Sequence, residues 1–496
     1  MIRIKEEIKK QRENFWNHCL FHPTDAIEDA WGKRILDRMS ADGSVQTVRL
    51  YAMLEDIVIK GENDELTYDF RVNDLRLDYL VEKGFDIVLA YGGMPECIAK
   101  DKNAKTNVSK NKTRYKGKLW NTSIPEDEQL WEDICYEYTK HIIERYGIDV
   151  VSKWHCQCLN EPDISWFFLS NLPTTEENTQ IRLKEYCKLY RGFEKGIRRA
   201  SERMCIGGPA LANRHEFLGG FLDYVRENDL QLDFISVHIY GTTPIRLNDG
   251  TDKLTVNNNI QKHKALAEVI KKHGFEDTEL IVDEWGASSH GFYNIEDAPE
   301  LIFRDTEVYS AYYTKLIYEY IEQNLPVSKL LICLSGQHEM TADFTGFQNF
   351  FTLNFFAKPI YNAYIMSSKL KINMLDTQID DPNIFVIPTK DESEEYAVMF
   401  TYCSENFEED IPEKYEEIVF DKNMEGKHVK VYCIDKETTN PYRLYTKKNC
   451  EDLSKDDIKE LRLEGQMKPI KDYIAGENHK LTLKLTPNAT YLITII

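Results

Sequence analysis

The stretch Cys158-Leu-Asn-Glu-Pro-Asp163 places an amide, a carboxylate and a proline directly after the strand-like run Lys153-Trp-His-Cys-Gln-Cys-Leu159. Proline cannot donate to a sheet ladder, so Pro162 ends the strand and leaves Asn160 and Glu161 at its carboxyl end. In parallel α/β folds that end is where ligands bind. Three other apolar runs close in polar groups of the same kind: Val48-Arg-Leu-Tyr51, Ser236-Val-His-Ile-Tyr240 and Val282-Asp-Glu-Trp285. Glu161 and Glu284 facing each other, ringed by Arg49, Tyr51, His238, Tyr240 and Trp285, suit cleavage of a glycosidic bond. One carboxylic acid protonates the leaving oxygen and one carboxylate attacks the anomeric carbon. Each group also has a plain structural use: Arg49 and Glu284 as a buried ion pair, His238 as a satisfied core histidine, Trp285 as packing.

These residues converge only if their strands share one mouth. From about residue 15 to 365 short apolar runs alternate with longer amphipathic stretches, the pattern of βα units. The strand candidates are 15–21, 47–51, 87–91, 154–159, 204–207, 234–238, 280–283 and 329–334. Between them lie helical stretches such as 126–146, where Trp131, Ile134, Cys135 and Tyr138 recur at helical spacing. Eight strands alternating with helices predict a (β/α)8 barrel over 15–368. After Leu370 the period changes to two, as in Leu481-Thr-Leu-Lys-Leu485, with one helical stretch at 454–463. This predicts a C-terminal β-sandwich over 369–496. Residues 1–14 form an extension that lends the sandwich a strand or lies over the barrel.

Composition narrows the partners. The chain of 496 residues carries 83 acidic against 62 basic side chains, a net charge of -21. Such a balance repels phosphate backbones and anionic lipid head groups, which argues against nucleic acid and membrane surfaces. The charged N-terminal stretch and the absence of a run of 18 apolar residues predict a cytoplasmic protein. Eleven cysteines at irregular spacing fit reduced buried thiols rather than a disulfide framework. Cys156 and Cys158 share a strand face, but no second pair at ligand spacing accompanies them, so no metal is expected.

The ordered set of motifs resembles family 39 of the glycoside hydrolases, which contains β-xylosidases and α-L-iduronidases. Tyr68-Asp-Phe70 with Asp74, Gly93-Met-Pro-Glu96, Ile206-Gly-Gly-Pro209, Asp233-Phe-Ile-Ser-Val-His-Ile-Tyr240, Lys358-Pro359 with Tyr361-Asn-Ala-Tyr364, and Ile434-Asp-Lys-Glu-Thr-Thr-Asn-Pro-Tyr442 carry the resemblance. It implies Glu161 as acid/base and Glu284 as nucleophile of a retaining mechanism without cofactor. Asn160, His238 and Tyr240 would hold the sugar or orient the carboxylates. It also implies an exo-acting, β-xylosidase-like enzyme acting on oligosaccharides or glycosides, and it allows a homo-oligomer. β-Galactosidase, α-L-arabinosidase and β-glucosidase specificities on the same barrel are alternatives, as is a barrel that only binds carbohydrate.

Three stretches depart from the xylosidase pattern: Arg49-Leu-Tyr51 in place of Arg-Phe-His, Asp283-Glu-Trp-Gly286 in place of Glu-Phe-Asn, and Ser335-Gly-Gln-His-Glu339 after strand eight. They bear on the terminal sugar, with His338 and Glu339 as replacement contacts. Among Tyr51, Tyr91, Trp120, Trp166 and Trp285, two or three are expected to touch substrate.

Overall fold

A computed structural model describes the chain except for residues 22–29, 53, 64, 107–119, 335–339, 341, 449–451 and 478–479. Its eight parallel barrel strands are, in chain order, His18–Phe21, Thr47–Tyr51, Asp86–Tyr91, His155–Cys158, Cys205–Leu211, Phe234–Thr242, Glu279–Ser288 and Lys329–Leu334. Strand eight pairs with strand one, which closes the ring. Each strand is buried along nearly its whole length because helices cover its outer face.

All eight expected strands are present, with shifted ends. Strand one starts at His18 rather than Phe15, because the Asn14 side chain accepts from the backbone N–H groups of Trp16 and Asn17 and holds that segment in a turn. Strands five, six and seven run four residues or more past their expected ends. Pairing continues there through Gly208-Pro-Ala-Leu211 on strand five and past polar residues such as Tyr240 and Glu284 on strands six and seven, stretches without the apolar run that marks a strand. The helix Glu128–Tyr146 buries Trp131, Ile134, Cys135 and Tyr138, with Asp127 capping its start through the Gln129 N–H.

The C-terminal part forms a curled nine-stranded sheet. Its period of two is plain in Lys480–Leu485, where Leu481, Leu483 and Leu485 are buried and their neighbours exposed. The N-terminal residues Ile2–Gln11 are a full member of this sheet rather than a cover over the barrel. They pair antiparallel with Asn373–Ile379 and parallel with Lys414–Phe420. The barrel helix Glu307–Glu322 packs against the sheet strands Tyr396–Tyr402 and Ala489–Ile495. Its first residue, buried Glu307, accepts from Asn440 Nδ2 at 2.8 Å and Arg443 Nη2 at 3.2 Å. These ties explain why the Asn-Pro-Tyr stretch at 440–442 is specific while lying far from any strand mouth. No helix among the described residues is long and apolar enough to cross a membrane.

Ile2 and Ile4 insert their side chains into the sheet core at 0% and 1% exposure. Ile4→Ala is expected to destabilise the sheet by about 2–4 kcal/mol, read as a lowered urea midpoint. A shift no larger than that of the exposed Ile8→Ala control would contradict the assigned role of this strand.

Candidate active site

Two backbone devices aim the polar side chains into the barrel mouth. On strand four, Leu159 and Glu161 adopt φ values of 58° and 44°. This left-handed conformation costs a non-glycine residue roughly 1–3 kcal/mol and persists where the surrounding structure enforces it. The Glu161 N–H is held by the Ala210 carbonyl of strand five at 3.0 Å. On strand seven, the register against strand eight shifts between Val282 and Trp285. A bulge of this kind breaks the in-out alternation, so the consecutive carboxylates Asp283 and Glu284 both face inward and Trp285 faces out. A second shift, between Val237 and His238, sets His238 opposite Glu284.

Arg49 from strand two lies at the centre, with no solvent exposure. It donates from Nε to Gln157 Oε1 at 2.6 Å, from Nη1 to Glu284 Oε1 at 2.8 Å and from Nη2 to Asn160 Oδ1 at 2.7 Å. Its Nη2 also lies 3.1 Å from Asp283 Oδ2. Tyr240 donates to the other Glu284 oxygen at 2.7 Å. That approach requires Gly286, where a Cβ would meet Tyr240 Cδ1 at 3.0 Å and Gln348 Nε2 at 2.8 Å. His238 Nδ1 stands 2.7 Å from Glu161 Oε1 and 3.4 Å from Glu284 Oε2, while Nε2 faces Asp283 at 3.6 Å.

The electrostatics follow from burial and charge pairing. Burial opposes the charge on Arg49, but Asp283 and Glu284 more than offset it and raise its pKa. Burial alone would neutralise His238, yet the carboxylates of Glu284 and Asp283 outweigh that and hold it up at about 10. Burial also favours the charge-free form of Asp283, and the Arg49 and His238 cations reverse this and lower it. Glu161 ends on the other side: desolvation, with Glu284 nearby, raises it despite the His238 hydrogen bond. Arg49 and His238 thus carry charge beside Asp283, while Glu161 is pushed toward its protonated form.

An oxygen of Glu161, a nitrogen of His238 and an oxygen of Glu284 lie within 4.8 Å of one another. As metal ligands the three fit badly, because His238 is held protonated and points both nitrogens at carboxylates, leaving no lone pair to donate.

Above the carboxylates lies a cavity of about 400 Å³ lined by Glu161, His238, Tyr240, Glu284 and Tyr51 together with Trp166. Asn160 borders a smaller space beside Tyr51 and Trp120, and its buried Nδ2 has no partner. Two expected contacts are corrected. Trp285 does not reach the cavity: it is fully buried behind the strand, stacked on Tyr313 with ring centres 5.8 Å apart and edge-on to Tyr309, both from the helix Glu307–Glu322. Arg49 does not line the cavity either: it is fully buried, with its guanidinium held among Gln157, Asn160, Asp283 and Glu284. Tyr91 is likewise buried in the helix layer, bonded to Thr139. His338 and Glu339 lie outside the described residues. Gln157, which also bonds Ser236 and Asp283 at 3.0 Å each, was missed as an organising residue. Its place between Cys156 and Cys158, on the opposite face of the strand from both, was the available signal.

The model of the glycosyl hydrolases family 39 matches residues 1–475. A β-xylosidase of Caldicellulosiruptor saccharolyticus is 25% identical over 97% of this chain and 95% of that protein. A dog α-L-iduronidase is 26% identical over 46% of this chain and 34% of its own. The crystal structure of a monomeric β-xylosidase from Caulobacter crescentus superposes with a TM-score of 0.82 at 17% identity, covering 100% of this chain and 99% of that one. With its closed barrel, its curled sheet and a family match over nearly its full length, the chain belongs to the family 39 glycosyl hydrolases.

Proposed function

We propose that the protein is a retaining, exo-acting glycosidase of β-xylosidase type, with Glu161 as acid/base and Glu284 as nucleophile. The observation that carries the retaining reading is the spacing: one carboxyl oxygen of each residue lies within 4.8 Å of one on the other, too close to admit a water between them. Retention uses a gap of roughly 5–5.5 Å, whereas inversion needs roughly 6.5–9.5 Å to admit a water. The xylose reading is supported by the β-xylosidase that aligns over nearly the full length of both chains.

Glu284, held by Arg49 and Tyr240 with one hydrogen bond to each oxygen, attacks the anomeric carbon as a carboxylate. Glu161, kept protonated by desolvation, gives its proton to the leaving oxygen. A covalent glycosyl-enzyme forms and the aglycone departs. Glu161, now a carboxylate, takes a proton from water, which attacks the same carbon and releases Glu284. Asn160 keeps a buried Nδ2 free while Arg49 holds its oxygen, so it can donate to the sugar hydroxyl next to the reacting carbon. His238 stays cationic and offsets the charge that Glu161 gains during the first step.

On a panel of para-nitrophenyl glycosides, β-xyloside is expected to be cleaved in preference to β-galactoside, β-glucoside and α-L-arabinopyranoside. Glu284→Ala should lose at least about 10⁴-fold in kcat and recover with azide, yielding the glycosyl azide of inverted configuration. Glu161→Ala with azide should yield the retained one. Azide products of the opposite pairing would reverse the two roles.

The pH profile tests the charge balance. Glu161 must be protonated to act as acid, so a pKa raised above the ordinary 4.5 carries activity to higher pH before the basic limb falls. The His238 cation lowers that pKa, and removing its charge lets it rise. His238→Asn should therefore move the basic limb of kcat/KM upward in pH. A limb that stays in place, or moves down, would show that His238 does not act on Glu161 through charge.

A further inference from the structure

The barrel order divides the mouth unequally. Between Glu161 on strand four and Glu284 on strand seven stand strands five and six on one side, and strands eight, one, two and three on the other. Among the described residues, much of the cavity wall comes from the short arc and the loops after its flanking strands: Trp166, Phe167, Asn213, Thr243, His290 and Phe292 all lie there. The loops after strands four and five are tied into one wall, because Asp163 accepts from the backbone N–H groups of Ala212, Asn213 and Arg214 at 2.9–3.0 Å. If Glu161 is the acid, the leaving oxygen sits within its reach and the group attached to that oxygen projects along this arc. The part of the cavity along this arc is then space for the leaving group.

The side chains of this arc offer ring faces more than hydrogen bonds. Trp166, 38% exposed, packs with His290 and Phe292 at ring-centre distances of 5.4 and 6.1 Å. His290 and Phe292 meet each other edge-on at 5.8 Å. Burial pushes the His290 imidazole down to about 4, so it stays neutral.

Of the polar side chains of the same wall, Asn213 and His215 face the cavity without an internal partner, and four others are engaged within the protein. Thr242 donates to Asp252 at 2.8 Å, Thr243 accepts from the Arg246 N–H at 3.2 Å, and the Ser289 hydroxyl pairs with His290 Nδ1 at 2.8 Å. Lys262 donates to the carbonyls of Tyr240 and Gly241 at 2.6 and 3.0 Å. A second sugar presents hydroxyls around its rim and loses affinity where they lose water without partners. A flat hydrocarbon ring gains from the faces and asks for no hydrogen bonds.

We propose that this arc is a leaving-group subsite for an apolar, aromatic aglycone. The preferred substrates are then glycosides of aryl or aryl-alkyl alcohols rather than sugar chains. The proposal rests on the assignment of Glu161 as acid and names the aglycone that the site accepts.

Binding of two non-hydrolysed ligands tests it directly: 2-phenylethyl β-thioxyloside and thio-linked xylobiose, titrated calorimetrically into wild type, Trp166→Ala and Phe292→Ala. The phenylethyl ligand is expected to bind at least about tenfold more tightly than the disaccharide, with Trp166→Ala removing that advantage and Trp166→Tyr retaining it. Equal or tighter binding of the disaccharide, binding of neither ligand, or an advantage that survives both alanine variants would overturn the proposal. Hydrolysis of β-xylosyl fluoride, which has no aglycone to bind, reads the chemistry separately. Wild-type turnover of the fluoride with no aglycone preference sinks the subsite alone. An aglycone preference without fluoride turnover sinks the catalytic assignment alone.

Discussion

Arg49 carries a permanent charge in a place with no water to screen it, and the geometry of the site depends on that charge. A guanidinium fixes its partners in a plane, and here the plane selects one orientation each for Gln157, Asn160, Asp283 and Glu284. Without it, two adjacent buried carboxylates would lose the cation they share, a loss that costs about 3–5 kcal/mol. Asp283 completes the balance from the far side. It joins Glu284 in holding His238 cationic, so a residue outside the cavity contributes to the protonation of one that stands inside it. Glu161 is pushed toward its protonated form beside a Glu284 that is paired with Arg49, an asymmetry that suits dividing acid and nucleophile between them.

The barrel supplies these positions by breaking its own regularity. A strand with strict alternation would send Asp283 and Glu284 to opposite faces, and the shift beside strand eight brings both inward. The left-handed residues at the end of strand four turn Asn160 one way and Glu161 the other. Such distortions persist because paired strands on both sides hold them: the ladder below is regular, and the Ala210 carbonyl and the His238 imidazole fix Glu161 from above. Among the described residues, the nine-stranded sheet contributes no side chain to the cavity. It clamps the helix Glu307–Glu322, the same helix that receives Trp285 behind strand seven.

What could be read from the sequence divides along physical lines. Periodicity and proline placement located the eight strands and the two glutamates, since burial patterns and strand stops are local properties. The inward direction of Trp285 was misjudged because alternation alone leaves open which parity a bulged strand keeps. Arg49 was expected at the cavity and lies behind it. An arginine at a strand end reads the same whether it meets substrate or organises carboxylates, and only the positions of Gln157 and Asp283 separate the two. The aromatic wall of Trp166, His290 and Phe292 joins loops more than 120 residues apart, a juxtaposition that no local pattern encodes.

The central claim is that Glu284 and Glu161 act in turn on one face of the sugar, and stereochemistry tests it most directly. The anomer first released from a cleaved β-glycoside can be followed by proton NMR before mutarotation scrambles it. Two displacements at the same carbon predict that the β-anomer appears first and the α-anomer grows in later. First appearance of the α-anomer would mean a single displacement by water and would contradict the account.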